Sequence, residues 1–286
     1  FNNLNIKTAK SELDGNVIFN YNRKDFVDFV NKVNVKATFK NSKVDLEELN
    51  VFYNEFGQNK VANFNANLSG TLNDLTVTNL QLNTNASTKI DGNINFKNLF
   101  SKEENDFSMQ GDFTELSSNY NKLTTLLPNV LGESIPKIFK ELGNFKIIGS
   151  THITANTIDA KLQMATDLGF VKSDLAIQNV NSIENASYKG NVVLTSFNLG
   201  ALLGEKDLGN TTLDLDIKGR GFNKNNLNSN LKGNVKTITY NKYTYKDIIV
   251  NGTYAQNKFN GNLISNDKNL QLEFNGLADL SKKQNN

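Results

Sequence analysis

Apolar and polar residues alternate along most of this chain. In residues 213–219, leucine and isoleucine occupy every second position and are separated by two aspartates and a lysine. A period of two places successive side chains on opposite faces of a strand, so the pattern predicts a sheet with one dry face and one face in water. Between 227 and 280 it predicts a four-strand meander, with turns near 240–243, 256–257 and 266–269, where Asn, Asp and Lys collect.

Glycine recurs two residues away from an apolar residue, in phase with the apolar face. A glycine inside a strand costs roughly 0.5–1 kcal/mol relative to alanine, so its recurrence needs a physical reason. Inward-facing glycines let a sheet bend towards its apolar face, which predicts a sheet curled into a trough. Alternatively, the glycines mark strand ends and bulges. The positions that share this phase are Gly15, Gly70, Gly92, Gly111, Gly149, Gly190, Gly219, Gly233, Gly252, Gly261 and Gly276.

Residues 116–143 break the alternation, because their apolar residues recur at helical spacing. Both prolines of the chain, Pro128 and Pro136, fall here and predict short helices, with Ser134 as an N-cap and Gly143 as the terminator. This helical insert is expected either to pack on the sheet or to cover one end of the trough, in contact with lipid or a partner. The apolar residues that carry the pattern are Leu123, Leu126, Leu127, Val130, Leu131, Ile135, Ile138, Phe139 and Leu142.

A shorter helix is predicted at 24–33 from the spacing of Phe26, Phe29, Val30 and Val33, and a turn of helix is expected at 197–203. The predicted domain organisation is therefore a set of curled β-sheet repeats over 1–115, the helical insert over 116–143, and further curled repeats over 144–286 that continue the first set.

The composition argues against several classes of function. Hydrophobic residues make up only 38% of the 286 residues, which suits an elongated sheet with one wet face better than a compact globule. The formal net charge is +2, so we expect no nucleic-acid partner. The chain has no cysteine, which removes disulfides, thiolate metal sites and cysteine nucleophiles together.

No arrangement of catalytic residues is recognisable. The single histidine, His152, lies in the polar phase of its strand-like run and is predicted to face water. The sequence has no nucleophile elbow and no phosphate-binding loop, and Gly219-Arg220-Gly221 lacks the third glycine of a dinucleotide-binding turn. We therefore expect a non-enzymatic protein with no catalytic residues, no cofactor and no metal site.

The apolar runs are too short to span a bilayer, and no signal peptide is recognisable. Since the first residue is Phe1, we expect this chain to be a section of a longer protein whose membrane anchor and targeting signal lie elsewhere.

Several stretches resemble the TamB-like translocation and assembly proteins of Bacteroidetes, which belong with the AsmA-like proteins. The resemblance runs from about Phe1 to Ser281, and its most specific part is the helical insert with its Leu-Pro and Ile-Pro steps. The stretches that carry it include KDFVDFVNKVNVKATF, SGTLNDLTVTNLQL, SSNYNKLTTLLPNVLGESIPKIFKELGNFKIIG, LGALLGEKDLGNTTLDLDIKGRGF and LISNDKNLQLEFNGL. The C-terminal domain by which this family contacts an outer-membrane barrel is not recognisable.

The resemblance implies a section of an inner-membrane-anchored protein that crosses the periplasm as a rolled β-sheet and delivers phospholipid for outer-membrane biogenesis. It implies a BamA-like barrel as a partner, through parts of the parent protein outside this segment. The expected fold is mainly β: an elongated antiparallel sheet curled into a trough or half-barrel with an apolar interior, plus the insert around 116–143.

Alternation and resemblance together predict that phospholipid acyl chains lie along this interior while headgroups stay in water. Two alternatives remain open: a chaperone-like module that captures unfolded outer-membrane strands on its sheet edges, and a structural spacer filled by its own side chains. The predicted lining consists of Ile94, Phe96, Ile147, Val192, Leu194, Leu213, Leu215, Ile217, Val235, Leu263, Leu270, Leu272 and Phe274.

Overall fold

The predicted antiparallel β fold is confirmed. A computed structural model describes residues 1–51, 56–101, 106–128, 135, 137–222 and 226–280. Sixteen strands lie in these residues, and their order in the sheet follows their order in the chain, with β1 and β16 at its two open ends. They are β1 (Leu4–Lys7), β2 (Glu12–Asn20), β3 (Asn34–Asp45), β4 (Val61–Gly70), β5 (Leu75–Thr84), β6 (Lys89–Lys97), β7 (Ser108–Asn119), β8 (Asn144–Thr154), β9 (Thr157–Thr166), β10 (Gly169–Gln178), β11 (Ser187–Asn198), β12 (Leu208–Arg220), β13 (Asn228–Tyr240), β14 (Tyr243–Ala255), β15 (Lys258–Asp267) and β16 (Leu270–Asp279).

The chain divides into two compact units. Unit 1 comprises Phe1–Glu133 and Asn144–Asn156 and contains β1 to β8, whereas unit 2 comprises Ser134–Gly143 and Thr157–Asn286 and contains β9 to β16. The four strands β13 to β16 are the meander expected between 227 and 280, and the turns between them lie where the sequence placed them.

Four α-helices and three 3₁₀ helices are described beside the strands. The α-helices are α1 (Phe29–Lys32), α2 (Leu46–Leu49), α3 (Tyr120–Leu126) and α4 (Leu199–Leu203). The 3₁₀ helices are Arg23–Asp28, Lys137–Leu142 and Val180–Asn185. The helices expected at 24–33 and 197–203 are therefore present.

The helical insert begins later than the sequence suggested. Strand β7 continues to Asn119, whose side chain accepts a hydrogen bond from the Lys122 N–H at 2.9 Å and so caps α3. The 3₁₀ helix Lys137–Leu142 ends at Gly143, whose φ of +67° fits the predicted terminator. The expected helical residues Val130 and Leu131, the N-cap Ser134 and Pro136 lie outside the described residues.

In unit 1, one row of facing residues crosses seven strands. Residues directly opposite in an antiparallel pair have their side chains on the same face, so the register shows which face each residue occupies. The row is apolar except for its last member, and it runs through Val17, Ala37, Leu68, Val77, Ile94, Gly111 and Thr151. We call the face that contains it the apolar face of unit 1.

In unit 2, three such rows cross all eight strands. The central row runs through Leu162, Ser173, Val192, Leu215, Gly233, Val250, Leu263 and Phe274. The row on one side contains Leu194, Leu213, Val235 and Leu272, and the row on the other contains Gly190, Ile217, Leu231, Gly252, Gly261 and Gly276. Together these rows form the apolar face of unit 2.

The glycines of the apolar phase lie mostly within strands, as their proposed role in bending requires. Gly233 is in the middle of β13 with a φ of +148°, and Gly190 is inside β11 with a φ of +152°. A Cβ atom at either position would overlap a carbonyl oxygen of the neighbouring strand, from Asp214 or Asp174. The alternative interpretation also has support, because a change of register adjoins Gly92 in β6.

Each apolar face is packed at its ends by helical segments. In unit 1, Leu46 of α2 and Leu126 of α3 join Val44 and Ala62 in a buried cluster. In unit 2, Leu142 and Phe197 join the strand residues Leu213, Leu215 and Val250. The insert therefore contributes to the packing of the sheet, which was one of the two roles expected for it.

Candidate functional site

The structure places the predicted lining residues on the two apolar faces. Ile94 pairs with Gly111, Phe96 with Met109, and Ile147 with Leu116, which puts these three on the apolar face of unit 1. The other ten are on the apolar face of unit 2: Val192, Leu194, Leu213, Leu215, Ile217, Val235, Leu263, Leu270, Leu272 and Phe274. All thirteen therefore lie on one or the other of the two apolar faces.

Exposure varies across the apolar face of unit 2. Leu194, Leu213, Leu215 and Val235 are only 8–9% exposed, although the strands form a single layer. Since one layer of flat sheet would leave such side chains open to solvent on one side, their burial reflects both a sheet that curls towards this face and the cover supplied by Leu142 and Phe197. Leu272, on the terminal strand β16, is 40% exposed.

The less buried lining residues are the ones that a ligand can reach. Val192, Ile217, Leu263 and Phe274 are all half-buried. They surround the buried residues Leu213, Leu215 and Val235 in the same cluster. The face therefore combines a packed centre, which stabilises the fold, with partly exposed apolar side chains around it.

Sequence reasoning left out several residues of this face. Val250 and Phe259 are both 9% exposed and belong to the buried cluster. Each is followed two residues later by a glycine of the apolar phase, Gly252 or Gly261, and this spacing could have identified them. Phe197 and Leu142 belong to the same cluster but come from segments without alternation. Their place in the buried cluster is seen only in the three-dimensional structure.

The apolar face of unit 2 carries almost no charge. Among the described strand residues on this face, Asp267 at the end of β15 is the single ionisable acid or base apart from tyrosine. Its carboxylate accepts hydrogen bonds from the Asn269 N–H at 2.8 Å, the Tyr243 hydroxyl at 2.8 Å and the Lys246 N–H at 3.1 Å. The bond from the Asn269 backbone is the main reason that the pKa of Asp267 is lowered.

Polar groups that are buried on this face are mostly small hydroxyls. Ser173, Ser229 and Ser265 are each less than 9% exposed. Hydroxyls of this size can hydrogen-bond to nearby backbone, as the Ser229 Oγ does to the Asn230 carbonyl at 3.4 Å. Burial also raises the pKa of the Tyr188 hydroxyl, so this hydroxyl stays neutral over the ordinary pH range and adds no charge to the face.

The opposite face of each unit is mainly polar, although Ile148, Phe170, Ile249 and Leu277 are exposed on it. Asp214 and Asp216 of β12 are exposed on it and accept hydrogen bonds from Asn191 Nδ2 at 2.8 and 3.2 Å. His152 is exposed on the corresponding face of β8, opposite Gln110. In the parts of the chain that the structure describes, no group of three or more His, Asp and Glu side chains is arranged to hold a metal ion.

The polar face of unit 1 contains a network of charges around Glu115. Its carboxylate lies 2.9 Å from the Lys89 Nζ and 3.2 Å from the Lys146 Nζ, and Lys89 also contacts Asp91 at 3.0 Å. Hydrogen bonding to Lys89, followed by Ser117 and Lys146, lowers the pKa of Glu115 to about 2.

This network predicts a pH-dependent contribution to stability. Since the folded-state pKa of Glu115 is below its unfolded value of 4.5, the stabilisation is complete above pH 4.5 and is lost as the pH falls towards about 2. We expect Glu115→Gln to lower the melting temperature slightly at pH 7 and to have a smaller effect at pH 3. Thermal melts at both pH values measure this, and an equal difference at the two would contradict the assignment.

The described residues include no helix with the length and apolar character needed to cross a membrane. Comparison of the chain with protein-family models, with curated proteins and with solved structures found no match.

Proposed function

We propose that this chain is a section of a TamB/AsmA-like bridge protein that carries phospholipid, with the acyl chains held on the apolar faces of its units. The observation that carries this proposal is the apolar face of unit 2, which has almost no charge and whose rows cross all eight strands. The sequence resemblance to the TamB-like proteins supports the same proposal.

The dimensions of unit 2 suit an acyl chain. Eight strands spaced at ~4.8 Å cover about 34 Å across the rows. One leaflet of a bilayer contributes about half of its ~30 Å hydrocarbon core, so an acyl chain of ordinary length fits along a row with room to spare. Each buried methylene gains ~0.8 kcal/mol, so a chain of about sixteen carbons gains on the order of 10 kcal/mol before costs.

The nature of the lining supports movement of lipid as well as binding. Apolar contact has no directional requirement, and a row of Val, Leu, Ile, Phe and Gly offers nearly equivalent positions along its length. A headgroup has no charged partner on the face except near Asp267, so it remains in water beside the exposed side chains. We place this activity in the periplasm, on a parent protein anchored in the inner membrane and reaching a BamA-like outer-membrane barrel.

A second candidate function is capture of a partner strand at the β16 edge. Strand β16 pairs with β15 alone among the described strands, and its ten residues contain no Lys, Arg or Pro to discourage pairing. Leu277, on its polar face, is 63% exposed. A chaperone for unfolded outer-membrane strands would use the backbone of this edge, and its lining side chains would matter little.

Paired photo-crosslinking separates these functions. Leu272 and Glu273 are adjacent on β16 but lie on opposite faces, opposite Ser265 and Ile264 of β15. With a photoreactive residue at each position in turn, the lipid-carrier proposal predicts phospholipid adducts at 272 and few or none at 273. Protein adducts at both positions would favour strand capture, and no adduct at either would favour a structural spacer.

A further inference from the structure

An exposed aromatic tip projects from unit 1 after strand β2. We define it as Tyr21, Phe26 and Val27 with the two basic residues Arg23 and Lys24. Val27 is 94% exposed, and Tyr21 and Phe26 are each about half exposed, so these apolar side chains stand in solvent. Arg23 and Lys24 are exposed beside them.

The tip is held in place by the sheet. The Phe26 ring lies 4.3 Å from that of Tyr21 and 6.1 Å from that of Phe29, and Phe29 in turn lies 5.7 Å from Phe19 of β2. At the other end of α1, Val33 is completely buried. The exposed residues are thus the outer end of a chain of aromatic contacts that begins on the apolar face of unit 1.

The acidic residues next to the tip bond to groups other than Arg23 and Lys24. The Asp25 carboxylate accepts a hydrogen bond from the Asn22 N–H at 2.5 Å, and Asp28 contacts Lys32 at 4.0 Å and Asn31 Nδ2 at 2.6 Å. Within the described part of the chain, neither Arg23 nor Lys24 forms an ion pair. The tip therefore presents two free positive charges beside two aromatic rings and an aliphatic side chain.

We propose that this tip docks on the surface of a bilayer that contains anionic phospholipid. Aromatic rings favour the boundary between headgroups and acyl chains, Val27 is positioned to enter the apolar layer, and Arg23 and Lys24 complement lipid phosphate. A stable protein partner normally buries about 800 Å² on each side, which is far more than three protruding side chains offer. A bilayer needs only a few apolar anchors with basic neighbours.

None of the residues of the tip belongs to the predicted lining, so this proposal does not depend on lipid transport. Transport of lipid along a sheet would need a defined point of contact with a membrane, and the tip would provide one. The lipid headgroup, and not a lipid held on the sheet, is what the tip would recognise.

Vesicle co-sedimentation tests the proposal. With vesicles of phosphatidylcholine and phosphatidylglycerol, the unmodified chain is expected to sediment more than with phosphatidylcholine alone. Phe26→Asp/Val27→Asp is expected to abolish the difference, and Arg23→Glu/Lys24→Glu to weaken binding by about 30-fold or more. Val51→Asp is the control, because Val51 is also a strongly exposed apolar residue, at 83%, and lies outside the tip.

Arg23→Glu/Lys24→Glu should keep the melting temperature of the unmodified chain, since both groups are exposed. Phe26→Asp removes ring contacts with Tyr21 and Phe29, so Val27→Asp alone, at a side chain that is 94% exposed, is measured beside the double variant and should weaken vesicle binding with no change of melting temperature. Undiminished sedimentation of Phe26→Asp/Val27→Asp, or an equal loss with Val51→Asp, would overturn the proposal. Leu272→Glu, on the other unit's apolar face, should leave vesicle binding unchanged. Failure of lipid transport and failure of membrane docking are thus measured separately.

Discussion

Replacing Gly233 by alanine is expected to destabilise unit 2 by about 3 kcal/mol or more. The φ of +148° at this residue is a conformation that only glycine adopts without strain, and a Cβ would overlap the Asp214 carbonyl oxygen of β12. Relief of the overlap requires β12 and β13 to separate at the centre of the sheet. Urea unfolding followed by far-UV circular dichroism measures the loss.

Gly204→Asn is the control for this substitution. Gly204 ends α4 in the left-handed conformation with a φ of +70°, which asparagine tolerates, and nothing lies within 4 Å of the position of a Cβ. We expect a change of less than about 1 kcal/mol there. If Gly233→Ala were as stable as the unmodified chain, the glycines of the apolar face would not be needed to shape the sheet.

Replacing Phe197 by alanine is expected to cost unit 2 about 3–5 kcal/mol. Phe197 is 1% exposed and packs in the same buried cluster as Leu142, Leu194 and Leu213. Loss of the ring removes its apolar contacts and leaves a cavity that the surrounding strands cannot fully close. The same urea unfolding measurement applies.

Phe170→Ala provides the comparison, because Phe170 lies in the neighbouring strand β10 but is 61% exposed. Its removal should change the free energy of unfolding by no more than about 0.5 kcal/mol. Equal losses at the two positions would show that Phe197 is not part of a packed core.

The strands and their faces could be predicted from the sequence because one physical rule determines both. Alternation at 213–219 places Leu213, Leu215 and Ile217 on one face, and the register with β11 and β13 agrees. Turn residues such as those between β13 and β14 mark where each strand ends. Each strand pairs with the strand before it and the strand after it in the chain, so short stretches of sequence contain the information needed to predict the sheet.

The packing at the ends of the sheet could not be predicted in this way. The boundary of the insert was wrong by four residues, because residues 116–119 (Leu-Ser-Ser-Asn) have only one apolar residue and no strand-like alternation, and pairing with β8 makes them part of the strand. The burial of Leu142 and Phe197 depends on segments that are distant in sequence. The separation into two units likewise has no signal in the alternation.

The exposure of the side chains in the candidate site could not be predicted from the sequence either. The pattern identified which side chains share a face, but it could not tell the packed centre around Leu215 from the half-buried residues such as Leu263 and Phe274. That distinction depends on how far the sheet curls, which arises from all its strands together. The exposure of Phe26 and Val27 could not be predicted either, since helical spacing indicated a helix at 24–33 but not which of its side chains would face solvent.

Native mass spectrometry of the purified chain tests the central claim most directly. The account predicts bound phospholipid in the unmodified chain, loss of most of it in Leu272→Glu, and full retention in Leu277→Glu. Both leucines are exposed on β16, at 40% and 63%, and they lie on opposite faces, so the pair compares the same substitution on the two faces of one strand. Absence of phospholipid from the unmodified chain, or equal loss in both variants, would contradict the claim that the apolar face holds acyl chains.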